Sequence, residues 1–258
     1  MHKTVSIIGY GWLGKLLADH FYENRYSIRA STTTALKLLD MHEKGYEAHL
    51  VDLENGIENE NPLLESSIHI MCLPPSKIKG DYSSTVFNYI GKLKQDDKVI
   101  FISSTSVYPE QSGHYTEESP TREGKISAAE KKIERNHANH LILRCSGLFG
   151  KHRDPGNFLS GKTGLTGPDS TVNLVHGADV CEKAFALIEK DARGVFNLSL
   201  EAPYTKKNLY EKACAKIGNV LPQFDKDTLP VHRHILTNKA ETLTGSGFQH
   251  TRDWYNSI

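Results

Sequence analysis

The feature that most constrains the fold lies near the N-terminus, where a β-rich run leads directly into three spaced glycines. Residues 4–9 form that run, and Gly9, Gly11 and Gly14 follow with the spacing GxGxxG before an apolar helical pattern that begins at Trp12. Glycine tolerates backbone conformations and close approaches that a Cβ atom prevents. This order of strand, glycine turn and helix predicts the first β-α unit of a parallel sheet.

The same alternation of β-rich runs and helical patterns continues over the first 150 residues. Further strands are predicted at residues 26–31, 47–52, 67–73, 98–103 and 140–145. Amphipathic stretches separate them, near residues 12–24, 34–44, 82–93 and 123–139. This pattern predicts an α/β fold with a doubly wound parallel sheet, the Rossmann fold, whose ligand crevice lies outside the carboxyl ends of the strands.

The second part of the chain has a different pattern. Residues 147–169 are rich in Gly, Pro, Lys and Asp without periodicity, which predicts a loop region that covers a substrate. Helices are expected at residues 178–189 and 206–217, and strands at 194–198 and 234–236. We therefore predict a Rossmann core over residues 1–150 and a small substrate-side region over residues 151–258. The two are expected to pack as a single compact unit.

Charge and composition point to a small-molecule ligand in the cytoplasm. The 31 basic residues equal the 31 acidic ones, so no net field favours nucleic acid or an anionic membrane. The four cysteines are far apart and contain no CxxC pair, which is typical of reduced thiols rather than of a zinc site. No signal-peptide core or membrane-length apolar run is present. The oligomeric state does not follow from these observations.

The glycine turn predicts a dinucleotide site. Gly9 permits a tight turn, Gly11 lets the backbone approach a pyrophosphate, and Gly14 lets the helix pack on the strand. The N-terminus of the helix adds N–H donors and a partial positive charge. The expected cofactor contacts here are Gly9, Tyr10, Gly11, Trp12, Leu13 and Gly14.

The end of the second strand indicates which dinucleotide is bound. An NAD site usually carries an acidic residue there, whereas this chain has hydroxyl side chains at Ser31, Thr32 and Thr33. Arg29 and Lys37 lie nearby and would attract a 2′-phosphate. The site therefore favours NADP, with NAD as the alternative. Thr33 or Thr34 would also serve as the cap of the next helix.

Later strand ends supply further expected cofactor contacts. Asp52 and Leu53 follow the third strand, where the adenine would lie, and Leu73 and Pro74 follow the fourth, beside the adenosine ribose. Ser103 ends the fifth strand. Each of these residues would equally suit an ordinary loop or strand end.

Residues 99–108, with the sequence Val-Ile-Phe-Ile-Ser-Ser-Thr-Ser-Val-Tyr, resemble the fifth strand of the extended short-chain dehydrogenase/reductases, the NAD-dependent epimerase/dehydratase family. Residues 117–120, 141–150, 172–180 and 195–198 also resemble segments of that family. The resemblance implies oxidoreductase or epimerase/dehydratase chemistry. It also implies a small substrate, such as a sugar nucleotide or a phosphorylated molecule.

One departure from the family concerns its catalytic residues. The family's reaction uses a Tyr followed four residues later by a Lys, which lowers the pKa of the phenol. None of the eleven tyrosines has a Lys at that spacing. Arg122 and Ile126 occupy the matching positions, and Lys125 lies one place away. The glycine turn departs as well, because extended members usually have GxxGxxG. The chain thus resembles an atypical branch of the superfamily.

The resemblance gives other residues candidate roles at the substrate. Ser104 matches the Ser or Thr that bonds the reacting oxygen, and Tyr108 follows it, so both are candidate catalytic residues. Short polar side chains that terminate a buried strand are the alternative. Arg153, in a basic loop, and His176 are candidate substrate contacts, with a solvated loop and an ordered turn before a helix as alternatives. No metal site is predicted, because the histidine pairs lack a third ligand at metal spacing.

Three functions are consistent with this sequence. The first is an NAD(P)-binding oxidoreductase or epimerase/dehydratase-like enzyme with an atypical active site. The second is a non-catalytic NADP(H)-binding sensor or scaffold. The third is a fold that binds no dinucleotide.

Overall fold

The computed structural model describes residues 3–225 and 228–258, which form two compact units. Unit 1 comprises Met1–Val107, Arg122–Leu143 and Ile188–Val195, and unit 2 comprises Tyr108–Thr121, Arg144–Leu187 and Phe196–Ile258. The boundary predicted at residue 150 is therefore replaced by several crossings between units. The chain returns to unit 1 because two later strands, at residues 140–145 and 194–198, belong to the sheet of that unit.

The strands in chain order are β1 Thr4–Ile8, β2 Ser27–Thr32, β3 Glu47–Leu50, β4 Ile68–Met71, β5 Lys98–Ser104, β6 Gly113–Tyr115, β7 His140–Cys145, β8 Gly147–Phe149, β9 Asn173–His176, β10 Gly194–Leu198, β11 Leu200–Glu201 and β12 Arg233–Ile235. The helices are α1 Trp12–Glu23, α2 Ala35–Glu43, α3 Tyr82–Ile90, α4 Lys125–Asn136, α5 Gly177–Glu189, α6 Lys206–Lys216, α7 Asn238–Thr244 and α8 Gln249–Ser257.

A seven-stranded parallel sheet forms the centre of unit 1, in the order β10-β7-β5-β4-β1-β2-β3. β7 and β10 begin in unit 1 and continue into unit 2. In the middle of the sheet, Ile7 of β1 lies between Ala30 of β2 and Ile70 of β4, and all three are fully buried. The prediction of a doubly wound parallel α/β sheet is confirmed.

One core cluster of unit 1 packs α3 and α4 against this sheet. Tyr82, Val86 and Tyr89 of α3 bury their side chains with Phe101 of β5 and Ile133 of α4. Each fully buried side chain of this size contributes about 2–3 kcal/mol through the hydrophobic effect. The helical spacing of these apolar residues explains why the sequence pattern located both helices.

Unit 2 contains smaller sheets. β11, β9 and β8 form a three-stranded sheet, and β12 pairs with β6 in parallel. The stretch 147–169, predicted as a loop, contains β8 and a 3₁₀ turn at Pro155–Asn157. These elements are three residues long, which is too short for a periodic pattern to appear.

Helix α8 begins with a cap from another helix. Its N-cap residue, Phe248, has no side-chain oxygen, and the buried carboxylate of Asp179 on α5 takes that role. The Asp179 Oδ1 atom accepts a hydrogen bond from the main-chain N–H of His250 at 3.0 Å, and Oδ2 accepts one from that of Thr251 at 2.7 Å. A carboxylate at a helix N-terminus also interacts favourably with the helix dipole.

Across the two described ranges, no helix combines the length and the apolar character that a membrane span requires.

A fully buried histidine connects β4 to its surroundings in unit 1. The His69 Nε2 atom lies 2.7 Å from the Ser66 carbonyl oxygen, which only accepts, so Nε2 carries the proton. Nδ1 lies 3.0 Å from the Tyr89 hydroxyl. Burial lowers the pKa of His69 to about 4, although Asp97 opposes this shift. The neutral imidazole is therefore the form that fits the core.

We expect acid to destabilise unit 1 through His69. Because its pKa in the folded chain lies below the unfolded value near 6.5, the unfolded chain binds more protons between pH 6.5 and 4. The free energy of unfolding should fall by about 3 kcal/mol over this window, as 1.36 kcal/mol corresponds to each pKa unit. Urea unfolding of His69→Gln, followed at several pH values, should show a flatter pH dependence.

The matched control is His42→Gln, which changes an exposed histidine of α2. It should leave the pH dependence of the wild type unchanged. An equally steep loss of stability in His69→Gln would contradict the assignment.

Candidate functional site

The glycine turn after β1 is built so that larger residues do not fit at two of its positions. Gly9 has a φ of +99°, and a Cβ atom there would lie 2.8 Å from the Cys72 carbonyl oxygen. A Cβ atom on Gly14 would overlap the Gly9 carbonyl oxygen. The turn and the first turn of α1 are thus in direct backbone contact, as the GxGxxG spacing predicts.

Gly11, by contrast, faces open space. A Cβ atom built on it meets no described heavy atom within 4 Å, and its backbone is extended, with φ −86° and ψ −162°. Gly11 is the N-cap of α1, and no side chain of the described residues caps this helix start. Next to it, Leu13 is buried in the core and Trp12 is partly buried. The open side of the turn is therefore made of backbone.

Ser31 holds the turn from the neighbouring strand. Its hydroxyl accepts a hydrogen bond from Gly9 N–H at 3.1 Å, and its carbonyl accepts one from Tyr10 N–H at 2.7 Å. Ser31 is 3% exposed. The structure thus gives this expected cofactor contact a positioning role through the turn.

Lys37 of α2 lies beside the same turn, where the Nζ atom donates a hydrogen bond to the Tyr10 carbonyl oxygen at 3.0 Å. The first turn of α2 contains no acidic residue. Asp40, one turn further on, is bound by Lys15 at 3.0 Å and by the Tyr10 hydroxyl at 3.0 Å. The turn therefore has the Lys37 ammonium beside it, and the nearby Asp40 carboxylate already accepts hydrogen bonds from Lys15 and Tyr10.

Arg29 lies away from this cation. Its guanidinium donates to Glu47 Oε2 at 2.9 Å and to the Pro62 carbonyl oxygen at 2.9 Å, and forms an ion pair with Glu65 at 3.1 Å. These partners hold Arg29 on the side of β3 and the Pro62–Glu65 turn. The expectation that Arg29 would stand with Lys37 at a 2′-phosphate is therefore corrected.

The hydroxyls after β2 differ in role. The Thr32 Oγ1 atom accepts a hydrogen bond from the main-chain N–H of Thr34 at 3.1 Å. Thr34 is the N-cap of α2, yet its side chain makes no capping hydrogen bond to the described residues. Thr33 is exposed. Neither Thr33 nor Thr34 is therefore needed to start the helix.

The remaining expected cofactor residues line the ends of β3 and β4. Asp52 caps a short 3₁₀ turn by accepting from Glu54 N–H at 3.0 Å, and Leu53 is buried in the core. Leu73 packs close to Gly9, with its Cδ2 atom 3.3 Å from the position of a Gly9 Cβ. Pro74 is exposed beside it. The structure thus brings the β4 end and the glycine turn together.

Two serines at the end of β5 point to different partners. Ser103 is buried and donates its hydroxyl to the carboxylate of Glu130 on α4, itself buried. The sequence analysis did not assign a role to Glu130. Its sequence signal is its spacing after Arg122 and Ile126, the residues that match the family's Tyr and Lys. Ser104 is partly buried, and its Oγ atom accepts from Ser106 N–H at 3.1 Å. No described residue accepts the Ser104 hydroxyl proton.

Tyr108 belongs to unit 2 and is fully buried. Its hydroxyl donates to Asn197 Oδ1 at 2.7 Å and accepts from Arg144 Nη1 at 2.9 Å. Burial raises the pKa of Tyr108, and the Arg144 guanidinium partly offsets that rise. These hydrogen bonds engage the phenol hydroxyl within unit 2, and the buried ring exposes no surface to a ligand.

The two expected substrate contacts also have structural partners in unit 2. Arg153 is exposed, and its Nε atom donates to the Leu148 carbonyl oxygen at 2.8 Å. His176 is partly buried, and its Nδ1 atom accepts from Ala178 N–H at 3.2 Å, at the start of α5. Burial lowers the pKa of His176, so a neutral ring suits this position.

Among the described residues, one group of possible metal ligands is found, in unit 2. Asp179, Glu182 and His250 have ligand atoms within 4.8 Å of one another. The Asp179 oxygens already accept the N–H groups at the start of α8, and His250 Nε2 lies 2.9 Å from Glu182. The existing hydrogen bonds therefore account for this cluster.

The chain is similar to proteins of known sequence and structure. No family model matches it. It is 28% identical over 238 residues to Protein YeeZ of Escherichia coli K12, covering 86% of each chain. A putative epimerase from Burkholderia cenocepacia has a TM-score of 0.74 at 14% identity, covering 95% of this chain and 92% of that one.

A second solved structure carries a cofactor. The dTDP-glucose 4,6-dehydratase of Bacillus anthracis, solved in complex with NAD, has a TM-score of 0.73 at 16% identity and covers 99% of this chain and 97% of that one. At such identity the likeness concerns the fold. The predicted resemblance is confirmed at that level: the chain has the fold of the NAD-dependent epimerases and dehydratases.

Proposed function

We propose that the protein binds NADP(H) at the glycine turn of unit 1 and acts on a small sugar-nucleotide or phosphorylated substrate as an oxidoreductase or epimerase/dehydratase-like enzyme. NAD is the alternative cofactor. The usual Tyr-Lys pair is absent, so the acid-base chemistry would come from other groups.

The observation that carries this proposal is the pairing of the open glycine turn with Lys37. The backbone at Gly11 faces open space at a helix N-terminus, which suits a pyrophosphate. Lys37 stands beside that turn, and the end of β2, where an NAD site has a carboxylate, carries hydroxyl side chains instead. A cation at this position attracts a 2′-phosphate, whereas it offers no acceptor to a 2′-hydroxyl.

Ser104 is the residue best suited to contact a reacting oxygen. A serine hydroxyl has one proton to donate and two lone pairs, and the bond from Ser106 uses one lone pair only. Its proton remains available for a substrate carbonyl or hydroxyl oxygen. A hydrogen bond to an oxygen that gains charge in the transition state accelerates the reaction. Ser104 is thus proposed as a catalytic residue and Tyr108 as a structural one.

The cofactor preference is tested first. Titration of the protein with NADPH and NADH, followed by calorimetry, should show tighter binding of NADPH. Lys37→Ala should weaken NADPH binding about tenfold, which corresponds to about 1.4 kcal/mol, and should change NADH binding little. Arg29→Ala is the matched control, because its partners lie elsewhere, and should keep the preference. Equal loss for both dinucleotides in Lys37→Ala would contradict the assignment.

Two glycine substitutions separate ligand binding from folding. Gly11→Ala places its Cβ in open space with an allowed backbone, so the thermal stability of the protein without ligand should stay within a few degrees of the wild type. NADPH binding should weaken at least about tenfold, because the methyl group occupies the space of the pyrophosphate. Gly14→Ala should instead destabilise the fold. Unchanged NADPH binding by Gly11→Ala would place the ligand elsewhere.

The catalytic role is tested in a substrate screen of sugar nucleotides and phosphorylated sugars, followed by the absorbance of NADPH. With a substrate that turns over, Ser104→Ala should lower turnover by about a hundredfold while NADPH affinity is kept. Tyr108→Phe should mainly reduce the free energy of unfolding, by about 1–3 kcal/mol, since it leaves buried polar partners unpaired. The reverse pattern would reassign the two residues.

A second candidate is a non-catalytic NADP(H)-dependent sensor or scaffold. The burial of Tyr108, together with Arg122 and Ile126 at the positions of Tyr and Lys, favours it over an enzyme of the usual type. It requires a partner whose affinity differs between the cofactor-bound and cofactor-free protein. A broad screen with NADPH binding but no turnover would favour this candidate.

A further inference from the structure

A carboxylate lies close to the cation that the proposed function assigns to the 2′-phosphate. Asp40 follows Lys37 by three residues on α2, and side chains at this spacing share one face of a helix. A free carboxylate on that face would pair with the neighbouring ammonium and would repel a phosphate brought to the same place. The cofactor preference therefore depends on how Asp40 is held.

Lys15 and Tyr10 hold this carboxylate beside α1 and the glycine turn. The Lys15 Nζ atom lies 3.0 Å from both Asp40 carboxylate oxygens, and the Tyr10 hydroxyl donates to Oδ2 at 3.0 Å. Burial favours a higher pKa for Asp40, but the hydrogen bonds from Lys15 and Tyr10 outweigh it and hold the pKa below its usual value. Asp40 is thus an anion whose charge is balanced by Lys15.

The hydroxyl of Tyr10 is itself fixed by the fold. Tyr10 is buried, and its ring packs edge-to-face on Tyr46 with the ring centroids 6.4 Å apart. Burial raises the pKa of Tyr10 and the Asp40 carboxylate adds to the rise, so the hydroxyl stays protonated as a donor. Tyr10 therefore contacts α2 twice, through its hydroxyl at Asp40 and through its carbonyl oxygen at Lys37.

Lys37 keeps its charge as a result of this arrangement. Its Nζ atom donates to the Tyr10 carbonyl oxygen at 3.0 Å, and it forms no ion pair with a residue of the two described ranges. An ammonium has three N–H donors, so two remain for another acceptor. The acid and the base on this face of α2 are thus bound to different partners.

We propose that Lys15 sets the cofactor preference of the glycine turn by balancing the Asp40 carboxylate, which the Tyr10 hydroxyl orients. This inference rests on the proposed function and names the positioning residues of its NADP site. In an NAD site, a carboxylate beside the ribose accepts hydrogen bonds from the hydroxyls and disfavours a 2′-phosphate. The contacts with Lys15 and Tyr10 keep Asp40 from acting in that way.

The test compares the binding of NADPH and NADH by calorimetry at low ionic strength, where charges are least screened. Lys15→Gln removes the balancing charge, and the double variant Lys15→Gln/Asp40→Asn removes the carboxylate as well. Lys3→Gln is the matched control. Lys3 also pairs with a carboxylate that a tyrosine contacts, that of Glu189, but it lies before β1, at the end of this strand opposite the glycine turn.

We expect Lys15→Gln to bind NADPH about fivefold more weakly and NADH within about twofold of the wild type. The double variant should recover the NADPH affinity, because the repelling carboxylate is gone, and Lys3→Gln should bind both dinucleotides as the wild type does. This recovery separates a balancing role from a general loss of stability.

An unchanged ratio of the two affinities in Lys15→Gln would overturn the proposal. Weaker NADPH binding that the double variant does not recover would make Lys15 itself a contact of the 2′-phosphate, and would overturn it as well. A wild type that binds NADPH no more tightly than NADH would instead remove the proposed cofactor preference, and this inference with it.

Discussion

The close contact between Gly14 and the Gly9 carbonyl is the constraint on which the rest of the site depends. Because neither residue carries a side chain, α1 lies directly against the end of β1. The neighbouring strands complete the arrangement: Ser31 of β2 bonds Gly9 and Tyr10, and Cys72 after β4 limits the space above Gly9. The proposed phosphate site is therefore a backbone surface whose position is set by three adjacent strands.

Most of the unit 1 sheet was predictable from the sequence because its strands are apolar runs bounded by turns and separated by amphipathic helices. The β4 residues Ile68–Met71 are all buried, and three of the four are apolar, with His69 as the exception. β6, β8 and β11 have only two or three residues and pair with distant segments, so no local pattern marks them. Helix α8 lacks a local start signal, because the carboxylate that caps it lies on α5.

The sequence predicted which chain positions lie near the candidate site, but it did not predict where their side chains point. Spacing placed Arg29 and Lys37 near the end of β2, but strand alternation turns Arg29 toward Glu47, its register partner on β3. Lys37 follows on α2 and reaches the turn. Likewise Ser104 and Tyr108 lie four residues apart, yet they belong to different units and only Ser104 keeps an unused proton. Such directions depend on tertiary contacts that sequence spacing does not contain.

The cap that Asp179 provides for α8 has a consequence for synthesis on the ribosome. Its backbone partners at His250 and Thr251 are made 71 and 72 residues later. A buried carboxylate without donors is strongly unfavourable, so we expect the start of α5 to stay hydrated until residues 250 and 251 have been made. We therefore expect the core of unit 2 around Asp179 to close only after α8 has left the ribosome, whereas all the strands of the unit 1 sheet have been made by residue 198.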